Sequence, residues 1–254
     1  GIPVYEGYGL TETSPVIAVN RPGARKMGTV GRPIPGVTVK IDERLGPEPG
    51  VGEIVVFGPN VMVGYHHRPE ENARAIDSDG GLRTGDLGFL DSDGYLHISG
   101  RIKEQYKLEN GKYVMPTPLE EQLALSPYIA NVMLHGANRP FNVALVVLDV
   151  GAVRAWAEGQ GAELGADPAA SPAVRALIAG ELERGAAGFR GYEKPRDFVL
   201  TTEALSVENG LLTPTLKLKR RQIFERHGAR LEALYRPLAP VERPPPPRLD
   251  SHAP

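Results

Sequence analysis

Hydrophobic and polar positions in the first hundred residues change over short distances. Two β-branched runs, residues 37–41 and 53–57, are separated by a turn sequence rich in glycine and proline. Strands on both sides of residues 91–94, Asp-Ser-Asp-Gly, are typical of a hairpin. Residues 70–76 predict one short helix. This pattern predicts a β-barrel-like, β-rich region over residues 1–101.

After residue 101 the pattern becomes that of a small α+β domain, predicted over residues 102–236. Thr117 is a predicted helix N-cap and Glu120, three residues later, completes a capping box. The remaining predicted elements are a hairpin at residues 105–108 and 112–115, buried strands at 131–134, 143–148 and 198–201, and helices at 117–125, 152–158, 172–187 and 219–234.

The last stretch, residues 237–254, is rich in proline and cannot form a packed core. We therefore expect a disordered or polyproline tail there. The predicted fold class is mixed, α/β and α+β, with a β-barrel-like region followed by a small α+β domain.

Composition narrows the function classes. The 254 residues carry a formal net charge of −2, which argues against a general nucleic-acid or anionic-membrane surface. There are no cysteines, so disulfides and thiolate chemistry are excluded. No apolar run reaches the roughly 18 residues of a membrane-spanning helix. We expect a cytoplasmic protein, and because the sequence opens directly on a motif without Met, we expect it to be cut from a longer one.

Residues 7–13, GYGLTET, place an aromatic ring between two glycines and follow it with hydroxyl and carboxylate groups. Gly7 and Gly9 allow the backbone to approach a flat ligand, and Tyr8 offers a ring face. Thr11 supplies a hydroxyl donor, and Glu12 is a carboxylate of the kind that holds Mg²⁺ beside phosphates. Taken alone, the stretch is more typical of a turn ended by Pro15.

Three further stretches contain charged groups beside glycine or turn residues. Asp86 lies between glycines and can accept two hydrogen bonds from a vicinal diol, although an Asx-turn has the same sequence. Arg101 could reach a nucleotide and Lys103 lies at the predicted domain boundary, which is also typical of a charged linker. Lys217 follows Thr-Pro-Thr and can place a charge on a carboxylate or phosphate; a solvated helix start is the alternative.

In this order, the four stretches resemble the successive motifs of the adenylate-forming superfamily, which includes acyl-CoA synthetases, carrier-loading adenylation domains and luciferases. The resemblance covers residues 1 to about 235. Residues 100–116, GRIKEQYKLENGKYVMP, and 211–220, LLTPTLKLKR, are most similar to the long-chain fatty acyl-CoA synthetase branch. The chain thus resembles the C-terminal end of the large AMP-binding domain followed by the small mobile domain.

The resemblance implies roles for individual residues. Gly7, Tyr8 and Gly9 would bind ATP or AMP, with the Tyr8 ring stacked on adenine. Thr11 would contact the α-phosphate, and Glu12 would hold Mg²⁺. The ribose would be bound by Asp86 and Arg101, the pantetheine arm of CoA by Gly111, and the carboxylate and α-phosphate by Lys217, while Lys103 would be the hinge.

The implied reaction has two steps. A fatty acid and ATP give acyl-adenylate and pyrophosphate, and the thiol of CoA then displaces AMP. The wider family has Gly-Lys at the catalytic lysine, whereas Leu216 precedes Lys217 here, so Lys219 is a rival assignment.

The resemblance also implies that part of the active site lies outside this chain, and it leaves other functions open. The phosphate loop and most of the acyl tunnel are expected in an upstream portion, so we expect the isolated chain to be inactive. A ligase that loads a carrier protein and a non-catalytic nucleotide- or partner-binding relative stay open as alternatives. Peripheral membrane association, at the inner membrane face, is compatible with a fatty substrate.

Overall fold

The computed structural model describes residues 2–235, and the predicted proline-rich tail at 237–254 lies outside the described residues. Twelve strands are described there: β1 Gly7–Tyr8, β2 Ala18–Val19, β3 Arg32–Pro33, β4 Thr38–Asp42, β5 Gly52–Phe57, β6 Leu82–Leu90, β7 Leu96–Arg101, β8 Tyr106–Lys107, β9 Tyr113–Val114, β10 Ile129–His135, β11 Asn142–Leu148 and β12 Pro195–Thr201. The α-helices in the same residues are α1 Pro69–Ala75, α2 Pro116–Leu123, α3 Val150–Gly159, α4 Pro172–Gly185 and α5 Arg220–Ala233.

The N-terminal strands form two open sheets, so the predicted β-barrel-like arrangement is wrong. One antiparallel sheet has the order β1-β2-β3 and the other the order β4-β5-β6-β7. Within the described residues neither sheet closes on itself, because its first and last strands do not pair. A hydrophobic cluster that includes Ile17, Ile54 and Leu96 packs the two sheets together. The core is therefore formed between sheets and not inside a barrel.

The C-terminal half is a three-layer α/β arrangement around β11. Strand β11 pairs antiparallel with β10 and parallel with β12. All seven of its residues are buried. Ala144, Val146 and Leu148 pack with α2, α3 and α4 on one face, whereas Val143, Leu145 and Val147 pack with α5 on the other. Successive residues of β11 thus point to opposite faces of the sheet and contribute to both hydrophobic layers. The predicted mixed fold class is confirmed.

Helix α2 begins one residue before the predicted N-cap, and the predicted capping box is absent. Met115 is the N-cap, without a side-chain hydrogen bond, and Pro116 opens the helix. Proline suits the first helical position because its fixed φ is helical and that position needs no donor. Thr117 instead donates to Glu104 at 2.5 Å, and Glu120 is bound by residues far along the chain.

Asn142 connects β11 to two surrounding segments and is fully buried. Its side chain accepts from the Tyr106 hydroxyl at 2.7 Å and donates to the carbonyl oxygens of Tyr192 and Glu193 at 3.1 and 2.8 Å. Alanine would leave three partly buried polar groups without this partner, so we expect Asn142→Ala to lower the free energy of unfolding by about 2–4 kcal/mol. Urea denaturation of the chain measures this change.

The matched control is Asn110→Ala in the exposed turn between β8 and β9. Asn110 accepts one exposed backbone hydrogen bond, from Lys112. We expect a loss below about 1 kcal/mol there, as for most surface substitutions. If the two variants lost equal amounts of unfolding free energy, the hydrogen bonds of Asn142 would stabilise the fold no more than the exposed hydrogen bond of Asn110.

Candidate functional site

A cavity of about 510 Å³ lies between the N-terminal sheets and the C-terminal helices. Residues of β6 and β7 form one side, and α2 with the loop before α5 forms the other. The cavity therefore brings together side chains that are more than 100 positions apart in the sequence. Its polar and charged wall includes Tyr8, Asp86, Arg101, Glu104, Thr117, Glu120, Lys217 and Arg220.

Asp86 is a buried carboxylate at the wall of this cavity. Its side chain accepts from the Tyr8 hydroxyl at 2.6 Å and pairs with Arg101 Nε at 2.9 Å. Register explains the ion pair, since Asp86 lies opposite Arg101 in the antiparallel pairing of β6 and β7. Each carboxylate oxygen keeps a second acceptor position, so the group can still accept hydrogen bonds from a diol.

A bulge in β6 orients Asp86. The β5–β6 register shifts between Glu53 and Val55, and Gly85 has a φ of +72°, a conformation that favours glycine. The buried Glu53 carboxylate accepts from the Gly85 amide at 3.1 Å and from Arg83 at 2.5 Å. A charged network beneath the strand therefore fixes the backbone that carries Asp86.

Tyr8 is fixed at both ends. Its ring packs against the N-terminal hydrophobic cluster, and its hydroxyl donates to Asp86. Burial, together with the negative charge of Asp86, raises the pKa of the Tyr8 hydroxyl well above its usual range. The phenol stays protonated across physiological pH and donates to the carboxylate.

The two glycines beside Tyr8 differ. A Cβ on Gly9 would lie 1.6 Å from the carbonyl oxygen of Pro15, so the fold itself requires glycine there. A Cβ on Gly7 would make an ordinary contact of about 3.4 Å with Ala18. Neither glycine is among the cavity-lining residues, and their predicted contact with adenine stays a prediction.

Thr11 and Glu12 lie in a short 3₁₀ turn, Thr11–Thr13, that follows β1. Thr11 is exposed, and Glu12 accepts a hydrogen bond from the Tyr65 hydroxyl at 2.7 Å. In residues 2–235 no group of three His, Asp or Glu side chains could hold a metal ion. One protein carboxylate fits Mg²⁺ nonetheless, because Mg²⁺ often takes one or two carboxylates and completes its shell with phosphates and water.

Lys217 is exposed and lies on the cavity wall, at the end of a tight turn. The Leu216 amide donates to the Thr213 carbonyl at 2.8 Å, and the Lys217 amide donates to the Thr213 hydroxyl at 3.0 Å. Leu216 has a φ of +59°, which is unfavourable for a leucine and costs on the order of 1 kcal/mol. The rival, Lys219, is the N-cap of α5 and is not among the lining residues.

The predicted hinge and CoA residues lie outside the cavity. Lys103 is exposed in the turn after β7, just beyond the Ile102 amide, which donates to the Gly85 carbonyl at 3.0 Å. Gly111 has a φ of +85° in the turn between β8 and β9. The cavity in this structure therefore contains the predicted ribose residues and Lys217, but not Gly111.

Two features of the site were missed from the sequence. Tyr65, the hydrogen-bond donor to Glu12, lies 53 residues away from it in an irregular segment, and no local pattern predicts that contact. The second is the pair formed by Arg220 and Glu120, on the wall next to Lys217. In the sequence, Arg220 is only the last residue of the stretch 211–220, and no role is predicted for it.

Fold and site together place a buried carboxylate that keeps free acceptor positions and an exposed lysine on the wall of one cavity. Two family models match the chain: AMP-binding enzyme over residues 1–66, and AMP-binding enzyme C-terminal domain over residues 103–163. The chain belongs to this family of AMP-binding enzymes, the adenylate-forming superfamily that its motifs resemble.

Curated relatives agree with the branch predicted from the motifs. The chain is 35% identical over 238 residues to the long-chain-fatty-acid–CoA ligase FadD15 of Mycobacterium bovis, covering 92% of the chain and 38% of the relative. It is 36% identical over 243 residues to the human long-chain-fatty-acid–CoA ligase 6, covering 92% and 35%. The chain thus spans less than two fifths of the length of these two relatives.

Solved structures with the same fold include adenylation domains. The adenylation domain of a carboxylate reductase from Mycobacterium chelonae matches with a TM-score of 0.71 and 30% identity, covering 91% of this chain and 34% of that one. The A domain of a carboxylic acid reductase from Segniliparus rugosus, in complex with AMP and a co-purified carboxylic acid, matches with a TM-score of 0.72 and 28% identity, covering 92% and 35%. Within residues 2–235, the longest apolar stretches of helix are too short to cross a membrane.

Proposed function

We propose that the chain is the C-terminal part of a long-chain fatty acid–CoA ligase that forms AMP. The observation that carries the proposal is the cavity in which Asp86 and Arg101 face Lys217. The relatives named as long-chain-fatty-acid–CoA ligases support the fatty acid and CoA as substrates. ATP, Mg²⁺ and CoA are the cofactors and co-substrates of this proposal.

In the first step, an oxygen of the fatty carboxylate attacks the α-phosphorus of ATP. The bond from that phosphorus to the bridging oxygen breaks, and pyrophosphate leaves with its electron pair. Two anions must approach each other, and the Lys217 ammonium offsets their repulsion. Asp86 holds the ribose hydroxyls, with Tyr8 and Arg101 fixing its orientation.

Glu12 would hold Mg²⁺, which supplies positive charge to the phosphates when bound. The Tyr65 hydroxyl, 2.7 Å from Glu12, keeps that carboxylate in place. Thr11, on the same turn, would donate its hydroxyl to the α-phosphate.

In the second step, the CoA thiol loses its proton and the thiolate attacks the acyl carbon; the bond from that carbon to the phosphate oxygen breaks, and AMP leaves with the electron pair. We place Lys103 at the hinge about which residues 102–236 turn between the steps, and Gly111 beside the pantetheine arm. The exposed position of Lys103, immediately after the last backbone bond to β6, supports this placement. An upstream portion of the polypeptide and peripheral contact with a membrane belong to the same proposal.

The test supplies the gene product carrying this chain with ATP, Mg²⁺, CoA and fatty acids of several lengths, and follows pyrophosphate and acyl-CoA together. We expect both products in equal amounts. Pyrophosphate without acyl-CoA, with transfer to a carrier protein, would assign a carrier-loading ligase instead. If neither product forms but AMP still binds, the protein is a nucleotide-binding relative without catalytic activity.

A further inference from the structure

A partly buried ion pair between Arg220 and Glu120 lies beside the cavity, and Arg220 is three residues after Lys217. Arg220, the first residue of α5, donates from Nη1 to Oε1 of Glu120 at 2.7 Å and from Nη2 to Oε2 at 2.6 Å. Glu120 is only 5% exposed. Two parallel bonds between a guanidinium and a carboxylate fix the orientation of both groups, which a single lysine ammonium cannot do.

The pair is anchored to two parts of the chain outside α2 and α5, and to Thr117 within α2. The Leu134 amide of β10 donates to Glu120 at 2.6 Å. Arg220 also lies 3.4 Å from the Thr117 hydroxyl and 4.0 Å from the Glu104 carboxylate, in the segment just after β7. Arg220 therefore fixes the start of α5 to α2, and Glu120 joins the pair to β10 of the sheet.

The loop that carries Lys217 has weaker support of its own. The hydrogen bonds of Lys217 and Leu216 given above join members of the same turn, and both side chains are exposed. After Lys217 the chain returns to the core: Leu218 pairs with Leu212 and packs against the C-terminal hydrophobic cluster, and the Lys219 amide donates to the Leu211 carbonyl at 2.9 Å. Arg220 is the residue directly after this bond, so its ion pair with Glu120 fixes the chain at the end of the turn.

We propose that Arg220 and Glu120 are positioning residues that hold the Lys217 loop against the cavity. The proposal rests on the proposed function of Lys217. Arg220 lines the cavity, but both of its terminal nitrogens are already bound to a carboxylate that compensates its charge. It therefore acts through the placement of Lys217 and not as a second cation on the substrate.

The first test compares Arg220→Lys and Glu120→Gln with the matched control Arg221→Gln in the gene product carrying this chain. Arg221 is the next residue; its side chain is 86% exposed and, among the residues that the structure describes, pairs only with Glu225. We expect kcat for pyrophosphate release to fall about tenfold or more in the two test variants, with KM for ATP changed less than about twofold. Arg221→Gln should stay within about twofold of the parent.

A double-mutant cycle separates positioning from general stability. If Arg220 acts through Lys217, Arg220→Lys should lower the residual rate of a Lys217→Ala enzyme by less than about twofold. An equal loss in both backgrounds would overturn the proposal, because it would show an effect that does not pass through the lysine. Unchanged kcat in both test variants, in an enzyme that makes acyl-adenylate, would also overturn it while leaving the proposed function intact.

Hydrogen exchange of the chain itself gives a readout that does not depend on catalysis. The amides of Lys217 and Lys219 are both hydrogen-bonded, and we expect them to exchange at least about tenfold faster in Arg220→Lys than in the parent or in Arg221→Gln. Equal exchange rates of these two amides in all three proteins would contradict the proposal that Arg220 and Glu120 hold the Lys217 loop. If the gene product forms no adenylate, the proposed function fails, and this measurement still decides whether the ion pair orders the loop.

Discussion

Replacing Lys217 by alanine is expected to lower the rate of acyl-adenylate formation by about 10²–10³-fold, the usual effect of removing one preorganised charge from a transition state. Lys217 is exposed to the cavity, so its loss leaves no buried partner unpaired, and folding should be unaffected. The measurement is pyrophosphate release by the gene product carrying this chain, with ATP, Mg²⁺ and a long-chain fatty acid.

The control for this experiment is Lys219→Ala, two residues further on. Lys219 contributes its backbone amide to the bond with Leu211, which alanine keeps, and its side chain does not line the cavity. We expect its rate to stay within about twofold of the parent. A large loss of the pyrophosphate release rate in Lys219→Ala, together with a small loss in Lys217→Ala, would assign the catalytic role to Lys219 and not to Lys217.

The backbone around Lys217 also explains why its motif departs from the wider family. The position before the lysine has a left-handed φ of +59°, for which glycine is the natural residue. Leu216 adopts it because the amides of Leu216 and Lys217 donate to the carbonyl and hydroxyl oxygens of Thr213 and close the turn. A leucine is thus compatible with the same loop at a cost of on the order of 1 kcal/mol, so the departure does not exclude Lys217.

Periodicity in the sequence predicted the strands and helices well where burial follows a simple rule. β11 was predicted because a strand buried on both faces is a continuous apolar run, and the structure confirms two hydrophobic layers on it. The barrel was wrong because strand pattern contains no information on whether the first and last strands meet. That depends on long-range pairing, which local sequence does not determine.

Glu120 shows the same limit at the level of one side chain. Its spacing from Thr117 fits a local capping box, but its actual partners lie 14 and 100 residues away. A buried carboxylate that can pair with an arginine in two parallel bonds gains more from that pair than from one exposed backbone amide. By contrast, Asp86 and Arg101 were predicted from their motifs, and strand register brings them together as neighbours.

Replacing Asp86 by asparagine is expected to weaken AMP binding at least about 30-fold, equivalent to about 2 kcal/mol. The carboxylate can accept from both hydroxyls of a ribose while it also accepts from Tyr8 and Arg101. An asparagine has only one acceptor oxygen. Its NH₂ group would therefore take the place of the second carboxylate oxygen and meet hydrogen-bond donors that it cannot accept from. Titration of AMP by calorimetry, with the parent and the variant compared at one salt concentration, measures the change.

Asp93→Asn is the matched control, since Asp93 lies on the hairpin between β6 and β7 and is paired with Lys26 at the surface. Its affinity for AMP should match that of the parent within about twofold. An Asp86→Asn variant that binds AMP as tightly as the parent would remove the ribose assignment, because a diol bound elsewhere does not sense this carboxylate. If Asp86→Asn loses AMP binding and Asp93→Asn keeps it, the nucleotide binds at the Asp86 side of the cavity, beside Tyr8. Lys217, on the opposite wall, is then in position to contact the phosphate.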